Sequence, residues 1–285
     1  MSIDFTTDKV SSADGTTIGY RQTGNGPGLI LVHGAMMVSQ NFSQLATALA
    51  DMFTVYIPDR RGRGLSGPHG SNYCLDRECE DMQAIVHKTR AQNIFGLSSG
   101  AIVALESAFT LPDAIRKVAL YEPPFAVNGS APDAWSPRFD AELTKGDLGA
   151  AMVTVMKGTG DSSLLNLLPR FLLVPFMRFA IEADAKETQG DAIPLKALIP
   201  TVHFDPQLVR ETANKLDHFK ALQANVLLLG GSQSQGYLKV ALNALDKLLP
   251  RVERIEFPGL GHLAATDQGQ PQRVAQELRR FFAEK

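Results

Sequence analysis

The sequence predicts an α/β protein in which a mostly parallel sheet of eight strands is flanked by helices and interrupted by a helical insertion. From residue 28 onward, short apolar runs alternate with longer amphipathic stretches. Parallel strands joined by helices produce this alternation, because both faces of such a sheet are covered. The alternation stops after the sixth strand and resumes only at residue 226. An inserted segment is therefore expected between the sixth and seventh strands.

The elements begin with a hairpin and continue as strand-helix repeats. Asp14 and Gly15 separate two short strand-like runs, 9–13 and 16–21, and this dipeptide is a strong hairpin signal. The remaining strands are expected at 29–32, 53–57, 93–97, 118–121, 226–229 and 252–257. Helices are expected at 42–50, 75–90, 101–110, 238–249 and 271–283. The sheet should therefore have an antiparallel start and a parallel remainder.

The insertion is expected to form a helical cap at 125–205, with 1–124 and 206–285 forming the core. Its apolar spacing predicts one amphipathic helix at 138–157 and a proline-broken pair of helices at 163–182. A helical segment between two strands of such a sheet lies at one end of the strands, where ligands bind. We therefore expect the cap to cover a pocket.

The composition excludes several classes of protein. The 285 residues include 28 Lys and Arg against 30 Asp and Glu, which gives no electrostatic basis for binding nucleic acid. The first ten residues lack the apolar run of a secretory signal, and prolines and arginines interrupt the most apolar stretch, 164–181. Cys74 and Cys79 fit neither a zinc site nor a redox motif. We expect a cytoplasmic monomer or homodimer without membrane contact, metal or cofactor.

A candidate nucleophile lies in the sequence Gly96-Leu97-Ser98-Ser99-Gly100. The pattern G-x-S-x-G is weak by itself, but here it follows a predicted strand and precedes a predicted helix. That setting is typical of a nucleophile elbow, a tight turn that exposes the serine hydroxyl at the end of the sheet. Ser98 could alternatively be a plain helix cap. The context favours Ser98 as a nucleophile.

A serine nucleophile needs a base to take its proton. His262 lies in a glycine-lined loop after the last strand, which should open at the same edge of the sheet as Ser98. His33 also follows a strand, but it precedes a glycine turn and is expected to brace that turn by hydrogen bonding. His262 is therefore the candidate base.

The base in turn needs a carboxylate to orient its second nitrogen. The usual position is the loop after the seventh strand, but residues 230–236 contain no acid. One strand earlier, Glu122 lies at a strand end, and the two prolines that follow prevent a helix from starting there. Glu122 is the predicted acid, and Asp267 remains its nearest rival.

Backbone donors and apolar side chains complete the predicted site. Acyl transfer needs N–H groups directed at the developing oxyanion, and the sequence offers those of Ala35 and Ser99. The cap has few charges, which favours an apolar acyl or aryl substrate, although its apolar residues could instead pack within the cap. The predicted substrate-binding residues are Met36, Trp135, Met152, Met156 and Leu263.

Three arginines follow the fourth strand at 60, 61 and 63. They could be taken for an anion site. A solvent-exposed turn held by Asp59 is the expected alternative, because exposed arginines on a turn commonly have no binding role.

Taken together, the motifs resemble those of the α/β-hydrolase superfamily over nearly the whole chain outside the insertion. Residues 33–34 resemble the family's oxyanion turn, and residues 59–66 resemble its D-x-R-G-x-G-x-S turn. Residues 96–100 resemble its nucleophile elbow, and residues 259–262 resemble its histidine loop. The order Ser98, Glu122, His262 is also that of the family's nucleophile, acid and histidine. The resemblance implies an α/β-hydrolase fold and a Ser-His-Glu triad.

The position of the acid departs from the usual pattern. Some members, including haloalkane dehalogenases and lactonases that open resorcylic macrolactones, have the acid after strand six, and Glu122 is similar to the glutamate of the lactonases. Dehalogenases and epoxide hydrolases have an aspartate nucleophile where this chain has Ser98. The resemblance therefore implies a serine esterase or lactonase. A receptor-like protein with little turnover, and a C–C hydrolase or cofactor-free lyase with the same triad, remain open alternatives.

Overall fold

A computed structural model describes residues 4–127, 129–160, 168–213 and 215–283 of the chain. Within these ranges, one sheet contains eight strands in the order β1-β2-β4-β3-β5-β6-β7-β8. The strands are β1 Thr6–Ser11, β2 Thr17–Thr23, β3 Gly28–Val32, β4 Thr54–Pro58, β5 Asn93–Leu97, β6 Lys117–Tyr121, β7 Asn225–Gly231 and β8 Val252–Phe257. Strand β2 pairs antiparallel with β1 and β4, and the other pairs are parallel. This confirms the predicted sheet with its antiparallel start.

The helices surround this sheet and extend into the insertion. In the described ranges they are α1 Ser43–Leu49, α2 Leu75–Thr89, α3 Ser99–Thr110, α4 Ser136–Thr144, α5 Leu148–Thr159, α6 Arg170–Glu187, α7 Leu195–Leu198, α8 Asp205–Glu211, α9 Gly236–Leu248 and α10 Pro271–Ala283. Short 3₁₀ turns lie at Ser39–Phe42, Ile199–Phe204 and Leu216–Ala221. The five helices predicted for the core are confirmed, each within two residues of its expected bounds.

The central strands are buried on both faces, which is why they appear in the sequence as continuous apolar runs. Alternate residues enter two separate clusters: Ile30 packs with α2 and α3 on one face, and Leu31 packs with α1 and α10 on the other. The period-two alternation of a strand directs neighbouring side chains to opposite faces. The carboxyl ends of β3, β5, β6, β7 and β8 consequently lie side by side at one edge.

The single helix predicted at 138–157 is wrong. Helix α4 ends before Gly146, whose φ of 70° is accessible to glycine but unfavourable for other residues. Asp147 then caps α5, because its side chain accepts a hydrogen bond from the N–H of Ala150 at 3.1 Å. Gly146 therefore ends one helix and Asp147 begins the next. The spacing of apolar residues continues across this boundary, so it does not reveal that there are two helices.

The structure describes only the second part of the proline-broken helix pair predicted at 163–182. Residues 163–167 lie outside the described ranges, and α6 runs without a break through Pro175. Proline removes one backbone donor, whose helical partner would be the carbonyl of Phe171 four residues earlier. Both residues lie on the exposed side of α6, so the helix continues across this position.

The inserted helices have an apolar cluster of their own, made of Phe139, Ala151, Val155, Ile181, Ile199 and Val202. Met36, from the turn that follows β3, packs against this cluster. The cap therefore lies against the sheet edge at which the predicted catalytic residues are found. None of the helices in the described part of the chain is both long enough and apolar enough to span a membrane.

Candidate active site

Ser98 lies in a strained turn between β5 and α3. Its φ of 56° is rare for a residue with a side chain, and its N–H donates to the Tyr121 carbonyl at 2.9 Å. The flanking glycines are sterically required. A Cβ on Gly96 would lie 2.4 Å from the Gly100 carbonyl oxygen, and one on Gly100 would lie 2.4 Å from the Val32 carbonyl oxygen. This is the geometry of a nucleophile elbow.

Glu122 and His262 meet next to this elbow. One carboxylate oxygen of Glu122 lies 2.7 Å from Nδ1 of His262, and the other accepts a hydrogen bond from the N–H of Gly231 at 2.6 Å. Glu122 is buried, and its own N–H donates to the Leu229 carbonyl at 3.0 Å. A carboxylate on Nδ1 fixes the imidazole so that Nε2 is available as a base.

The histidine loop is held by backbone and side-chain contacts. The phenol of Tyr121 donates to the Gly261 carbonyl at 2.9 Å, and burial raises the pKa of this phenol, so it stays a donor. The Gln233 N–H donates to the Leu260 carbonyl at 2.9 Å. A Cβ on Gly231 would lie 2.2 Å from the same carbonyl oxygen, so the β7 and β8 loops touch. These contacts orient His262.

The turn after β3 lies directly against the nucleophile. A Cβ on Gly34 would lie 3.0 Å from Cβ of Ser98 and 3.7 Å from its Oγ. Ala35 and Met36 follow, and Met36 has a positive φ of 53°. The predicted oxyanion donors are next to these contacts in the chain, because Ala35 follows Gly34 and Ser99 follows Ser98 as the first residue of α3.

Asp267 is engaged elsewhere. Its carboxylate accepts a hydrogen bond from the N–H of Gln44 at 2.9 Å, in the first turn of α1, and its N–H donates to the Asn41 carbonyl at 3.0 Å. These contacts join the loop after β8 to the start of α1. The geometry therefore pairs His262 with Glu122 rather than with Asp267.

The predicted pocket residues divide into two groups. Met36 and Leu263 are adjacent in sequence to the oxyanion turn and to His262, and Leu263 is exposed. Trp135 and Met152 pack against the cap cluster, as Met36 also does, and the half-buried Met156 lies one turn beyond Met152 on α5. The Trp135 ring covers the backbone of Gly158, and its Nε1 donates to the Pro132 carbonyl at 2.9 Å. The contacts seen for this second group therefore lie within the cap.

The solvent-exposed arginine turn predicted after β4 is wrong. Arg60, Arg61 and Arg63 are only 0%, 1% and 3% exposed. Arg61 forms a two-pronged ion pair with Asp81, and Arg60 does so with Glu78. Buried guanidinium groups require such partners. The only sequence signal for this arrangement is the presence of acids on the inward face of the predicted helix at 75–90.

Asp59 holds this turn, as the sequence predicts, although the turn is buried. Its carboxylate accepts hydrogen bonds from the N–H groups of Ser39 and Leu65, at 2.5 and 2.9 Å. The carboxylates of this region face arginines and backbone donors. Across the residues that the structure describes, no group of three or more His, Cys, Asp and Glu side chains could hold a metal ion.

The arginines also reach the candidate site, which the sequence did not indicate. Arg60 donates to Oγ of Ser99 at 3.0 Å, and Arg63 donates to the Gly34 carbonyl at 3.2 Å. Both guanidinium groups pair with Asp205, the first residue of α8. His33 braces the turn as predicted, with one ring nitrogen 3.0 Å from the Gly34 carbonyl oxygen.

A mostly parallel sheet that carries a serine elbow, with a histidine and a carboxylate in contact at the same edge of the sheet, defines a hydrolase of the α/β class. Residues 29–277 match the profile described as the alpha/beta hydrolase family. The chain belongs to the alpha/beta hydrolase family.

Characterised relatives and solved structures agree with this class. The chain is 24% identical over 249 residues to 2-(acetamidomethylene)succinate hydrolase of Mesorhizobium japonicum, covering 86% of this chain and 85% of the relative. An alpha/beta hydrolase structure from Sphaerobacter thermophilus superimposes with a TM-score of 0.75 at 28% identity, covering 96% of this chain and all of that one. The structure of 2-hydroxy-6-oxo-6-phenylhexa-2,4-dienoate hydrolase from a Rhodococcus strain superimposes with a TM-score of 0.70 at 18% identity, and the match covers 99% of this chain and all of that one. At this identity the likeness shows the fold alone.

Proposed function

We propose that the protein hydrolyses a carboxylic ester or lactone with an apolar acyl or aryl part, through Ser98, His262 and Glu122. One observation supports this most strongly. Glu122 is held by the Gly231 N–H and contacts Nδ1 of His262 at 2.7 Å, at the sheet edge that carries the Ser98 elbow. An acid, a base and a nucleophile in this relation are the parts that acyl transfer needs.

In the proposed reaction, Oγ of Ser98 attacks the substrate carbonyl carbon while Nε2 of His262 takes the hydroxyl proton. The carbonyl oxygen becomes an oxyanion, which the N–H groups of Ala35 and Ser99 stabilise. The tetrahedral intermediate collapses to an acyl-enzyme, and the imidazolium returns its proton to the leaving alcohol oxygen. Water then attacks the acyl-enzyme with His262 as base, which releases the acid and restores Ser98.

The surroundings of Met36 support an apolar substrate. Met36 lies beside the proposed oxyanion donor of Ala35 and packs against the apolar cap cluster. Binding pockets for small molecules are mostly apolar, with a few polar groups that fix orientation. A bound acyl or aryl group near Ser98 would thus be close to side chains that favour burying it.

Amide hydrolysis is the second candidate. The Mesorhizobium relative is named for a substrate that contains an acetamido group. The same three residues can cleave an amide if His262 protonates the leaving nitrogen. The receptor-like alternative depends mainly on a missing acid, and the contact of Glu122 with His262 counts against it.

A substrate panel with a serine-directed label tests the proposal. We expect the purified protein to hydrolyse aryl esters or lactones, and an alkyl phosphonate to add one phosphonyl mass to the intact protein. Ser98→Ala should abolish both signals, whereas Ser11→Ala, which changes an exposed serine on β1, should leave them unchanged. Preference for N-acetyl amides over matched esters would favour the second candidate. Absence of both turnover and labelling, or full activity of Ser98→Ala, would refute the triad.

A further inference from the structure

We propose that Asp205 is a positioning residue for both oxyanion donors. Turnover then depends on the position of residues 199–205, the last part of the cap, which include Asp205. The inference rests on the proposed hydrolysis. Asp205 is buried at the start of α8, and its two carboxylate oxygens have different partners. One oxygen accepts from Ser99 Oγ at 2.6 Å and from Arg60 at 3.0 Å, and the other accepts from Arg63 at 2.7 Å.

The charge of Asp205 is maintained by these arginines. Burial by itself would raise the pKa of this carboxyl, but Arg63 and Arg60 outweigh that effect, so its pKa lies below the usual value. Asp205 is therefore an anion at neutral pH, and it accepts the hydrogen bond from the Ser99 hydroxyl.

The contact to Arg63 reaches the Ala35 donor through a single peptide group. Arg63 donates to the Gly34 carbonyl at 3.2 Å. That carbonyl and the Ala35 N–H belong to the same planar, trans peptide, so they point in opposite directions. Fixing the carbonyl oxygen on one side consequently aims the Ala35 N–H on the other.

His33 holds the same carbonyl from a second direction. Its Nε2 accepts from the Arg60 N–H at 3.1 Å, which requires that Nδ1 carry the proton. Nδ1 then donates to the Gly34 carbonyl at 3.0 Å. Burial, with Arg63 and Arg60 nearby, keeps the pKa of His33 well below its ordinary value, so the ring stays neutral in this role.

The contact to Ser99 restrains the second donor. Ser99 is the first residue of α3, and its hydroxyl is bound by both Asp205 and Arg60. The N–H groups of a first helical turn have no partner within the helix, so the Ser99 N–H can serve a ligand. Anchoring the side chain limits movement of that turn.

The segment before Asp205 joins this arrangement to the cap. Ile199 and Val202, in the 3₁₀ turn that precedes Asp205, belong to the cap cluster. From the same turn, Oγ1 of Thr201 accepts from Nε of Arg63 at 3.1 Å. A displaced cap segment would withdraw Asp205 from Ser99 and Arg63 together, and both donors would lose their support.

The test compares Asp205→Asn with Glu78→Gln. Glu78 is equally buried and also pairs with Arg60, at 2.8 Å, but no hydrogen bond connects it to Ser99 or Arg63. We expect Asp205→Asn to lower kcat about 10- to 100-fold for every acyl length, with a much smaller change in KM. Its affinity for an aryl trifluoromethyl ketone, which forms a tetrahedral adduct on Ser98, should fall in parallel. Glu78→Gln should lose stability but keep kcat and ketone affinity near wild type.

Two milder variants keep the test informative if Asp205→Asn does not fold. Ser99→Ala removes the hydroxyl without creating an unpaired charge, and Thr201→Val removes one partner of Arg63. Each should lower kcat more than KM, and their losses should not add with that of Asp205→Asn. Wild-type kcat and ketone affinity in folded Asp205→Asn, or in both milder variants, would overturn this role alone. Failure of the wild-type protein to turn over esters or label at Ser98 would overturn the proposed function first.

A second inference concerns the outer face of α6, which we propose pairs with the same face of a second copy of the chain. Phe171, Phe176 and Phe179 are 74%, 59% and 74% exposed. Leu168 and Leu172 are exposed beside them. Their spacing places them on one side of the helix, opposite the buried Leu173 and Ile181.

The area and charge of this face favour self-association. The three phenylalanines alone expose about 400 Å², and the whole face roughly 600 Å², which reaches the upper limit for the largest patch on a typical monomer. Two such faces would bury about 1,200 Å², the lower limit for a specific interface. Helix α6 contains three basic and three acidic residues, and Arg170 and Arg178 are paired with Glu142 and Asp147. The face thus lacks the basic border that an anionic lipid surface attracts.

Sedimentation velocity over a range of concentrations tests this pairing. We expect a dimer that Phe171→Asp and Phe179→Asp convert to a monomer, while Val240→Asp, at another exposed apolar position on α9, leaves it intact. A wild-type monomer at every concentration would overturn the inference. Binding of a wild-type monomer to phosphatidylcholine vesicles, lost in Phe179→Asp, would assign the face to lipid instead.

Discussion

Glu122 and His262 are 140 residues apart in the chain, and a carboxylate oxygen of one lies 2.7 Å from Nδ1 of the other. The loop after β7, where the acid of such a triad is usually found, has no carboxylate, and the last residue of β7, Gly231, donates its N–H to Glu122 at 2.6 Å. Strands β6 and β7 are neighbours in the sheet, so an acid at the end of β6 reaches the same histidine. Glu122 is thus oriented toward Nδ1 of His262, as the proposed triad requires.

The first prediction concerns the identity of the acid. Glu122→Gln should lower kcat about 10³-fold or more, because an amide no longer stabilises the imidazolium or enforces the correct tautomer. Steady-state hydrolysis of the best aryl ester of the panel measures this loss. Asp267→Asn is the matched control and should keep nearly full kcat, since Asp267 contacts the start of α1. A large loss confined to Asp267→Asn would show that the acid is misassigned.

The second prediction concerns the space between Gly34 and Ser98. In Gly34→Ala the new methyl would lie 3.0 Å from Cβ of Ser98 and 3.2 Å from the Leu97 carbonyl oxygen, which forces the turn away from the nucleophile. We expect kcat/KM to fall at least about tenfold, because small displacements at a reacting centre have large kinetic effects.

Gly236→Ala is the control for this substitution, since a Cβ at Gly236 meets nothing within 4 Å. Phosphonate labelling rates of the two variants provide a second measurement that does not depend on the choice of substrate. Equal labelling of Gly34→Ala and the wild type would mean that this turn does not flank Ser98 during the reaction.

The elements that the sequence predicted correctly are those governed by local pattern. Strands buried on both faces are continuous apolar runs, and Ser98 and Glu122 each follow such a run directly, whereas His262 lies in the loop after the edge strand β8. Parallel strands place their carboxyl ends at one edge, so listing the strand ends was sufficient to assemble the proposed triad.

The errors occurred where the decisive contact is between distant residues or depends on one dihedral angle. The boundary between α4 and α5 depends on the positive φ of Gly146, whereas the apolar spacing continues past it. Arg60 and Arg63 appeared exposed because their partner Asp205 is more than 140 residues further along the chain. The sequence shows that these charges exist but does not show which of them meet.

The third prediction concerns the stability of the buried arginine turn. Asp81→Asn should lower the free energy of unfolding by about 3 to 5 kcal/mol, because it leaves the buried Arg61 without its main counter-charge. Glu80→Gln, the adjacent position, affects a partly exposed pair with Arg77 and should cost less than about 1 kcal/mol. Urea denaturation at neutral pH measures both. Equal stabilities of the two variants would contradict the burial argument.

The fourth prediction concerns pH, and the relevant group is His69. Burial lowers the pKa of His69 to about 4, with a further contribution from Arg63, while the unfolded chain retains the ordinary value of 6.5. Between these pH values the unfolded state binds a proton that the folded state does not, so the free energy of unfolding increases with pH through this window. The contribution of His69 to the free energy of unfolding should therefore fall as the pH is lowered from 6.5 toward 4. The neutral, buried His33 contributes with the same sign.

His69→Gln should weaken this pH dependence without abolishing it, because His33 remains. The ring of His69 stacks on Phe204 at 3.7 Å, so some loss of stability at neutral pH is also expected, and the slope rather than the absolute value is diagnostic. Urea midpoints measured at intervals between pH 4 and 7 give that slope. His87→Gln, which alters an exposed histidine on α2, should reproduce the wild-type slope. A wild-type slope in His69→Gln as well would mean that His69 titrates alike in the folded and unfolded chain.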